Sequence, residues 1–208
     1  MNSKQYFDEV AGRWDQLRAG FFSEAVRDRA LRLAGLQRGK IAADLGAGTG
    51  FITEGLVREG LRVIAVDQSE AMLAEMRKKF AGVEGIDYRV GEAESLPLAD
   101  ESVDYVFANM YLHHVEDPPS AIREMARILR SGGKAVITDL DEHRFEFLRT
   151  EHHDRWLGFK REDVRIWLEN SGLKDVLVDG VGEHCCASSS DGCDSARISI
   201  FVAAGVRK

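Results

Sequence analysis

The sequence predicts an α/β protein built on a doubly wound, seven-stranded sheet that is mostly parallel with its last strand antiparallel. Three observations predict it. Seven short apolar runs alternate with longer amphipathic ones, the pattern of repeated strand–helix units. A glycine-rich turn follows the first run, where such sheets bind ligands. The final run alternates strictly, with Ile198, Ile200 and Val202 on one face and Arg197, Ser199 and Phe201 on the other, as an antiparallel strand does.

Taken in order, residues 1–38 carry helical apolar spacing with aromatics at Tyr6, Phe7, Trp14, Phe21 and Phe22, and read as a helical N-terminal cap on a core of residues 39–208. The strands are placed at residues 41–45, 62–67, 86–90, 103–108, 134–139, 176–181 and 197–203. Helices are placed at 69–80, where Met72, Leu73, Met76 and Phe80 share a face, and at 161–171, closed by Gly172. A third spans 118–130: Asp117 is its N-cap, Pro118 suits the first turn, and Gly132 and Gly133 stop it. Residues 183–195 read as a Cys-containing loop joining the last two strands.

The 208 residues suit one domain of ordinary size, and 44% hydrophobic and 30% charged residues with three prolines exclude a disordered or collagenous chain. Twenty-eight basic against 35 acidic residues leave a net charge of −7, which argues against nucleic acid or an anionic membrane as partner. A small-molecule partner is expected instead. No apolar run approaches the roughly 18 residues that span a bilayer, and the first ten residues mix charge with aromatics. With an odd count of three cysteines, a reducing cytoplasm is the expected location.

The turn Asp44-Leu45-Gly46-Ala47-Gly48-Thr49-Gly50 joins the first strand to the next helix, where glycines let backbone approach a ligand closely. Asp67 ends the second strand, 23 residues after Asp44, where a carboxylate can accept both hydroxyls of an adenosine ribose. NAD and S-adenosyl-L-methionine sites share these features, and three details separate them. The third small position of a dinucleotide fingerprint is occupied here by Phe51. Asp44 sets a negative charge in the turn, repelling pyrophosphate but suiting the ammonium of a methionine moiety. Gly91-Glu92-Ala93-Glu94 follows the third strand, where an acidic side chain and a backbone N–H can read an adenine edge.

These segments, with Val66-Asp67-Gln68-Ser69-Glu70-Ala71-Met72-Leu73, Glu92-Ala93-Glu94-Ser95-Leu96-Pro97-Leu98, Leu112-His113-His114-Val115 and Leu129-Arg130-Ser131-Gly132-Gly133, resemble in order the class I S-adenosylmethionine-dependent methyltransferases over about residues 1–172. The resemblance implies Gly46, Gly48 and Gly50 against the methionine part, Asp67 on the ribose, and Glu92 with Ala93 at the adenine. Asp44, Gln68 and Asn109 complete the expected cofactor set. Glu92 stands where many relatives have Asp, and Ala47 where they have Cys. Residues 6–15 and 152–159 look like methyltransferase domains fused to arsenic-type repressors; the quinone-biosynthesis methyltransferases are a more distant likeness.

His113 and His114 follow the fourth strand, near the transferable methyl, and either a base or a packing histidine fits that place. They and Tyr6 are the catalytic candidates, while Tyr6 and Trp14 are placed to close the pocket. Asn109 and Met110 line its mouth. Asp139, Asp141, His143, His152 and His153 match no metal spacing and read as a solvated substrate loop. Cys185, Cys186 and Cys193 are candidates for capturing a thiophilic ion or substrate such as trivalent arsenic, against free thiols in a Ser-rich loop. An NAD-dependent oxidoreductase and a non-catalytic soft-metal sensor are the alternatives from other classes.

Overall fold

The computed structural model describes residues 3 to 208. Its seven-stranded sheet has the order β3-β2-β1-β4-β5-β7-β6. The first five strands are β1 (Ile41–Leu45), β2 (Arg62–Asp67), β3 (Ile86–Val90), β4 (Val103–Asn109) and β5 (Leu129–Leu140). These five run parallel. After them β6 (Leu173–Ser188) and β7 (Ser195–Arg207) form a hairpin, with β7 inserted antiparallel between β5 and β6. The chain winds outward from β1 to β3 and returns to β4 beside β1, so a crevice opens beyond the carboxyl ends of these two central strands.

Side chains alternate across each strand, and both faces are covered. Ala42, Val63, Val136 and Val202 face α3 (Ala25–Ala34) and α4 (Phe51–Arg58). Ala43, Val66, Val106 and Phe201 face α6 (Pro118–Ile128) and α8 (Arg161–Asn170). Local signals begin the helices where the sequence places them. Ser69 caps α5 (Glu70–Lys79) by accepting from Met72 N–H at 3.1 Å, and Asp117 caps α6 by accepting from Ser120 N–H at 3.2 Å. Among the described residues no helix is long and apolar enough to cross a membrane.

Tertiary pairing alters four of the expectations. The helix read as 118–130 ends at Ile128, because Leu129 turns extended and pairs with Val103. The register then slips before Tyr105 meets Lys134, leaving residues 130–133 bulged. The expected loop 183–195 is mostly strand: residues 184–188 pair with 195–199, and the turn is only Ser189–Asp194, tied by Ser189. The cap is shorter than residues 1–38, since Val26, Ala30 and Ala34 of α3 pack into the sheet's own core. Capping falls to α1 (Ser3–Val10), a 3₁₀ turn and α2 (Trp14–Phe21). These sit on Met72 through Val10 and Ala11, and are pinned by Asp8 to Ser69 (2.6 Å) and Asp15 to Thr49 (2.5 Å). Finally, Asp139 belongs to β5 and is fully buried, not part of a solvated loop.

Candidate active site

The glycine turn leaves β1 with left-handed backbone at Gly46 (φ +63°), Gly48 and Gly50 (φ +91°). A Cβ on Gly46 would lie 2.3 Å from the Tyr111 ring, so backbone and ring occupy a space that admits no side chain. Gly50 does a different job. It stands directly before α4, where a Cβ would strike Phe80 at 2.5 Å.

Asp67 at the end of β2 holds the turn from the side. Its Oδ2 accepts from Gly48 N–H and its Oδ1 from Ser69 N–H, both at 2.8 Å. Asp44 is buried beneath the turn, where Oδ2 accepts from Thr53 N–H (3.0 Å) and Thr53 Oγ1–H (2.7 Å). Burial raises both carboxyls above the ordinary carboxylate range, Asp44 to about 7, against the hydrogen bonds that favour their charge.

A cavity of about 280 Å³ lies over these groups, and of the nine residues nominated for the cofactor only Gly50 is not part of its lining. Its chemistry fits S-adenosylmethionine and not a dinucleotide. A pyrophosphate needs free N–H groups at the helix N-terminus, yet Thr53 N–H in the first turn of α4 is already held by Asp44. Phe51 fills the place of the fingerprint's small residue and packs edge-on against Phe22. Five carboxylic side chains, Asp44, Asp67, Glu92, Glu94 and Glu116, are among the cavity lining, as suits a cationic ligand with ribose hydroxyls.

One prediction arises here. Asp44 has a folded pKa of about 7 against an ordinary 3.8, so its contribution to stability is fully present below about pH 3.8 and is lost as pH rises through 7. Asn in Asp44→Asn keeps an acceptor for Thr53 without the charge. The stability of wild type relative to this variant is expected to fall by up to about 4 kcal/mol across that window. Over the same rise, wild-type affinity for the cationic cofactor grows as the carboxylate ionises. Denaturant melts and titrations at several pH values check both slopes.

A second chamber of about 70 Å³ adjoins the first and shares Phe7, Trp14, Phe22, Met110 and His114 with it. Tyr6, Phe21 and Leu148 continue its apolar wall, so aromatics of the cap line this chamber. The Tyr6 hydroxyl lies 3.5 Å from His152 Nδ1. At the polar end, His113 Nδ1 lies 2.6 Å from Asp139 Oδ1, and Asp139 Oδ2 also accepts from Tyr111 and Leu112 N–H. Burial opposes a charge on His113, but the carboxylates of Asp139 and Asp154 outweigh it and push its pKa up to about 9. His114 goes the other way: burial, then the charge of His113, hold it well below its ordinary value. Asn109 Oδ1 accepts from Thr138 Oγ1–H at 2.8 Å while lining the cofactor cavity.

The three cysteines do not converge. Cys185 and Cys186 are consecutive strand residues and point to opposite faces, and Cys193 lies exposed in the turn. Cys185 alone reaches the second chamber, where burial pushes its thiol up to about 12 and keeps it protonated. The three thiols, candidates for capturing a soft ion against a reading as free thiols, are not brought together and stand as free cysteines. Asp154, which is not among the residues nominated from the sequence, joins His113 at this polar end.

Comparison with known proteins gives the family and supports the fold. Residues 43–137 match the family described as methyltransferase domain. The chain is 34% identical over 167 residues to 2-methyl-6-phytyl-1,4-hydroquinone methyltransferase 2, chloroplastic, of Oryza sativa subsp. japonica, covering 78% of this chain and 47% of that protein. It is 34% identical over 169 residues to the demethylmenaquinone methyltransferase of Thermobifida fusca, covering 78% and 69%. In fold it is similar to a chain of the complex between the Haloferax volcanii Trm112 methyltransferase activator and a methyltransferase, with TM-score 0.79, 21% identity and coverage of 99% and 97%. The chain belongs to the class I S-adenosylmethionine-dependent methyltransferases. It spans about half the length of the plant relatives it matches. No comparison supports the oxidoreductase or sensor alternatives.

Proposed function

We propose that this chain, working in the cytoplasm, transfers a methyl group from S-adenosylmethionine to a small reduced aromatic acceptor of the quinol class. The observation that carries the reading is the aromatic-walled chamber with a polar His–Asp end, sharing one wall with the cofactor cavity. The names of the relatives, a hydroquinone and a demethylmenaquinone methyltransferase, point to the same acceptor chemistry.

When bound, S-adenosylmethionine supplies an electrophilic methyl on a sulfonium sulfur. Asp67 accepts the ribose hydroxyls, Asp44 balances the ammonium, Gly46 and Gly48 admit the methionine backbone, and Glu92 with Ala93 meets the adenine. Phe7, Trp14 and Met110 hold the acceptor's ring against the methyl and keep water out, so that rate comes from in-line proximity. The acceptor's hydroxyl is directed to the polar end at His113, His114 and Asp154.

Purified, reduced protein is incubated with methyl-labelled S-adenosylmethionine and reduced naphthoquinols and benzoquinols lacking a ring methyl. Label is expected on the quinol only when protein is present. Saturable cofactor binding with no label on any quinol overturns the acceptor assignment, and binding of NAD alone overturns the cofactor.

A further inference from the structure

The polar end of the second chamber contains more than an acceptor needs. We infer that His113, His114 and Asp154 form a binding site for one divalent first-row transition ion, of which Zn²⁺ is the type, with Asp139 orienting His113 from behind. The inference deepens the proposed function by adding a ligand to its acceptor chamber, and its ion-binding claim stands without it.

Four observations carry it. A ligand atom from each of the three side chains lies within 4.8 Å of the others, although the residues come from the turn after β4 and the segment before α8. His113 Nδ1 is committed to Asp139 at 2.6 Å, leaving Nε2 for Asp154 Oδ1 at 3.9 Å. That gap is too long for a hydrogen bond. It is close to the roughly 3.3 Å between two ligands on a tetrahedral ion with bonds of about 2.0–2.1 Å.

The carboxylate behind His113 is the second observation. A ligating histidine characteristically donates its other N–H to a carboxylate that fixes ring and tautomer. Asp139 is itself immobilised by the N–H groups of Tyr111 and Leu112 on Oδ2 and of Leu140 on Oδ1, so the imidazole is set by the end of a central strand. Third, His114 Nδ1 is buried with no hydrogen-bond partner among the described residues, while the ring bonds the His153 backbone. A buried lone pair left unsatisfied is costly, and an ion accepts it. Fourth, two buried carboxylates flank His113, Asp139 at Nδ1 and Asp154 nearest Nε2, a carboxyl-rich setting that suits a divalent cation.

Two imidazoles and one carboxylate favour a borderline ion over Mg²⁺ or Ca²⁺, which take oxygen ligands. Three protein ligands leave a position open, and all three residues line the second chamber. An acceptor hydroxyl that binds there loses its proton more readily and is held in one orientation. The half-buried Cys185 shares the chamber but stays outside the ligand set.

The test is calorimetric titration of chelator-stripped protein with Zn²⁺, paired with Co²⁺ substitution followed by visible absorption. One equivalent is expected to bind, with d–d bands and no sulfur-to-cobalt charge transfer. Asp154→Asn is expected to weaken binding by more than about 100-fold, and Asp139→Asn by about 10- to 100-fold, the usual cost of losing an outer-shell partner. Thermal melts identify any variant that fails to fold, and Asp154→Asn, which lies outside the cofactor cavity, is expected to bind S-adenosylmethionine still. No Zn²⁺ binding by wild type, equal binding by a folded Asp154→Asn, or a charge-transfer band showing the ion on thiols would each overturn the inference. If wild type binds S-adenosylmethionine but no Zn²⁺, only this inference fails; if it binds Zn²⁺ through Asp154 but no S-adenosylmethionine, only the proposed function fails.

Discussion

Asp67→Ala is expected to lower affinity for S-adenosylmethionine by roughly 100- to 10,000-fold. Under the proposed binding mode the carboxylate accepts two ribose hydroxyls, and each hydrogen bond to a charged group contributes about 1.5–3 kcal/mol. The same side chain holds the turn before any ligand arrives, through Gly48 N–H and Ser69 N–H at 2.8 Å each. Removing it orphans two donors at about 1–3 kcal/mol apiece, offset in part because burial disfavours the charge on this carboxyl. A net loss of about 1–3 kcal/mol of folding stability is expected, a drop of a few degrees to roughly 10 °C in the melting midpoint. Titration calorimetry and thermal melts read the two effects separately. Affinity within about threefold of wild type would place the ribose elsewhere.

Gly46→Ala is the second large effect and acts through shape alone. The new Cβ meets Tyr111 Cδ2 at 2.3 Å and Cγ and Cε2 at 3.1 Å, atoms at the root of a ring and not at a flexible tip. The backbone there is left-handed at φ +63°, which costs an L-residue about 1 kcal/mol by itself. The turn must shift or the ring must leave, and either reshapes the floor of the cofactor cavity. A destabilisation of about 2–4 kcal/mol with at least a tenfold loss of cofactor affinity is expected. Gly48→Ala is the control, because its Cβ would meet nothing nearer than Trp14 at 3.5 Å. It carries the backbone strain without the clash, so the difference between the two variants in denaturant melts measures the clash. Equal destabilisation would show that strain alone matters at Gly46.

The parts of this protein legible in its sequence are those whose physical cause is local. β1, β2 and β3 have the bounds their apolar runs predict, and α5 and α6 start at the caps of Ser69 and Asp117. Phe51 by its spacing and Asp44 by its charge speak against a dinucleotide, and the Thr53 N–H held by Asp44 in the first turn of α4 adds a structural reason. Gly50 shows the limit of such reading. It belongs to the glycine motif, yet its conformation serves helix α4 and the Phe80 contact, not the cavity.

What sequence by itself determined was the doubly wound sheet, the glycine turn after β1 and the acid that ends β2, since helical period, strand alternation, caps and left-handed glycines are written within a few neighbouring residues. Tertiary structure decided the rest. The assignment of α3 to the core, the extension of β6 and β7 through the cysteines, and the meeting of His113 with Asp139 and Asp154 depend on strand order and register. The last of these joins residues 26 and 41 positions apart, and no periodicity in the chain records which side chains a sheet will bring to the same end.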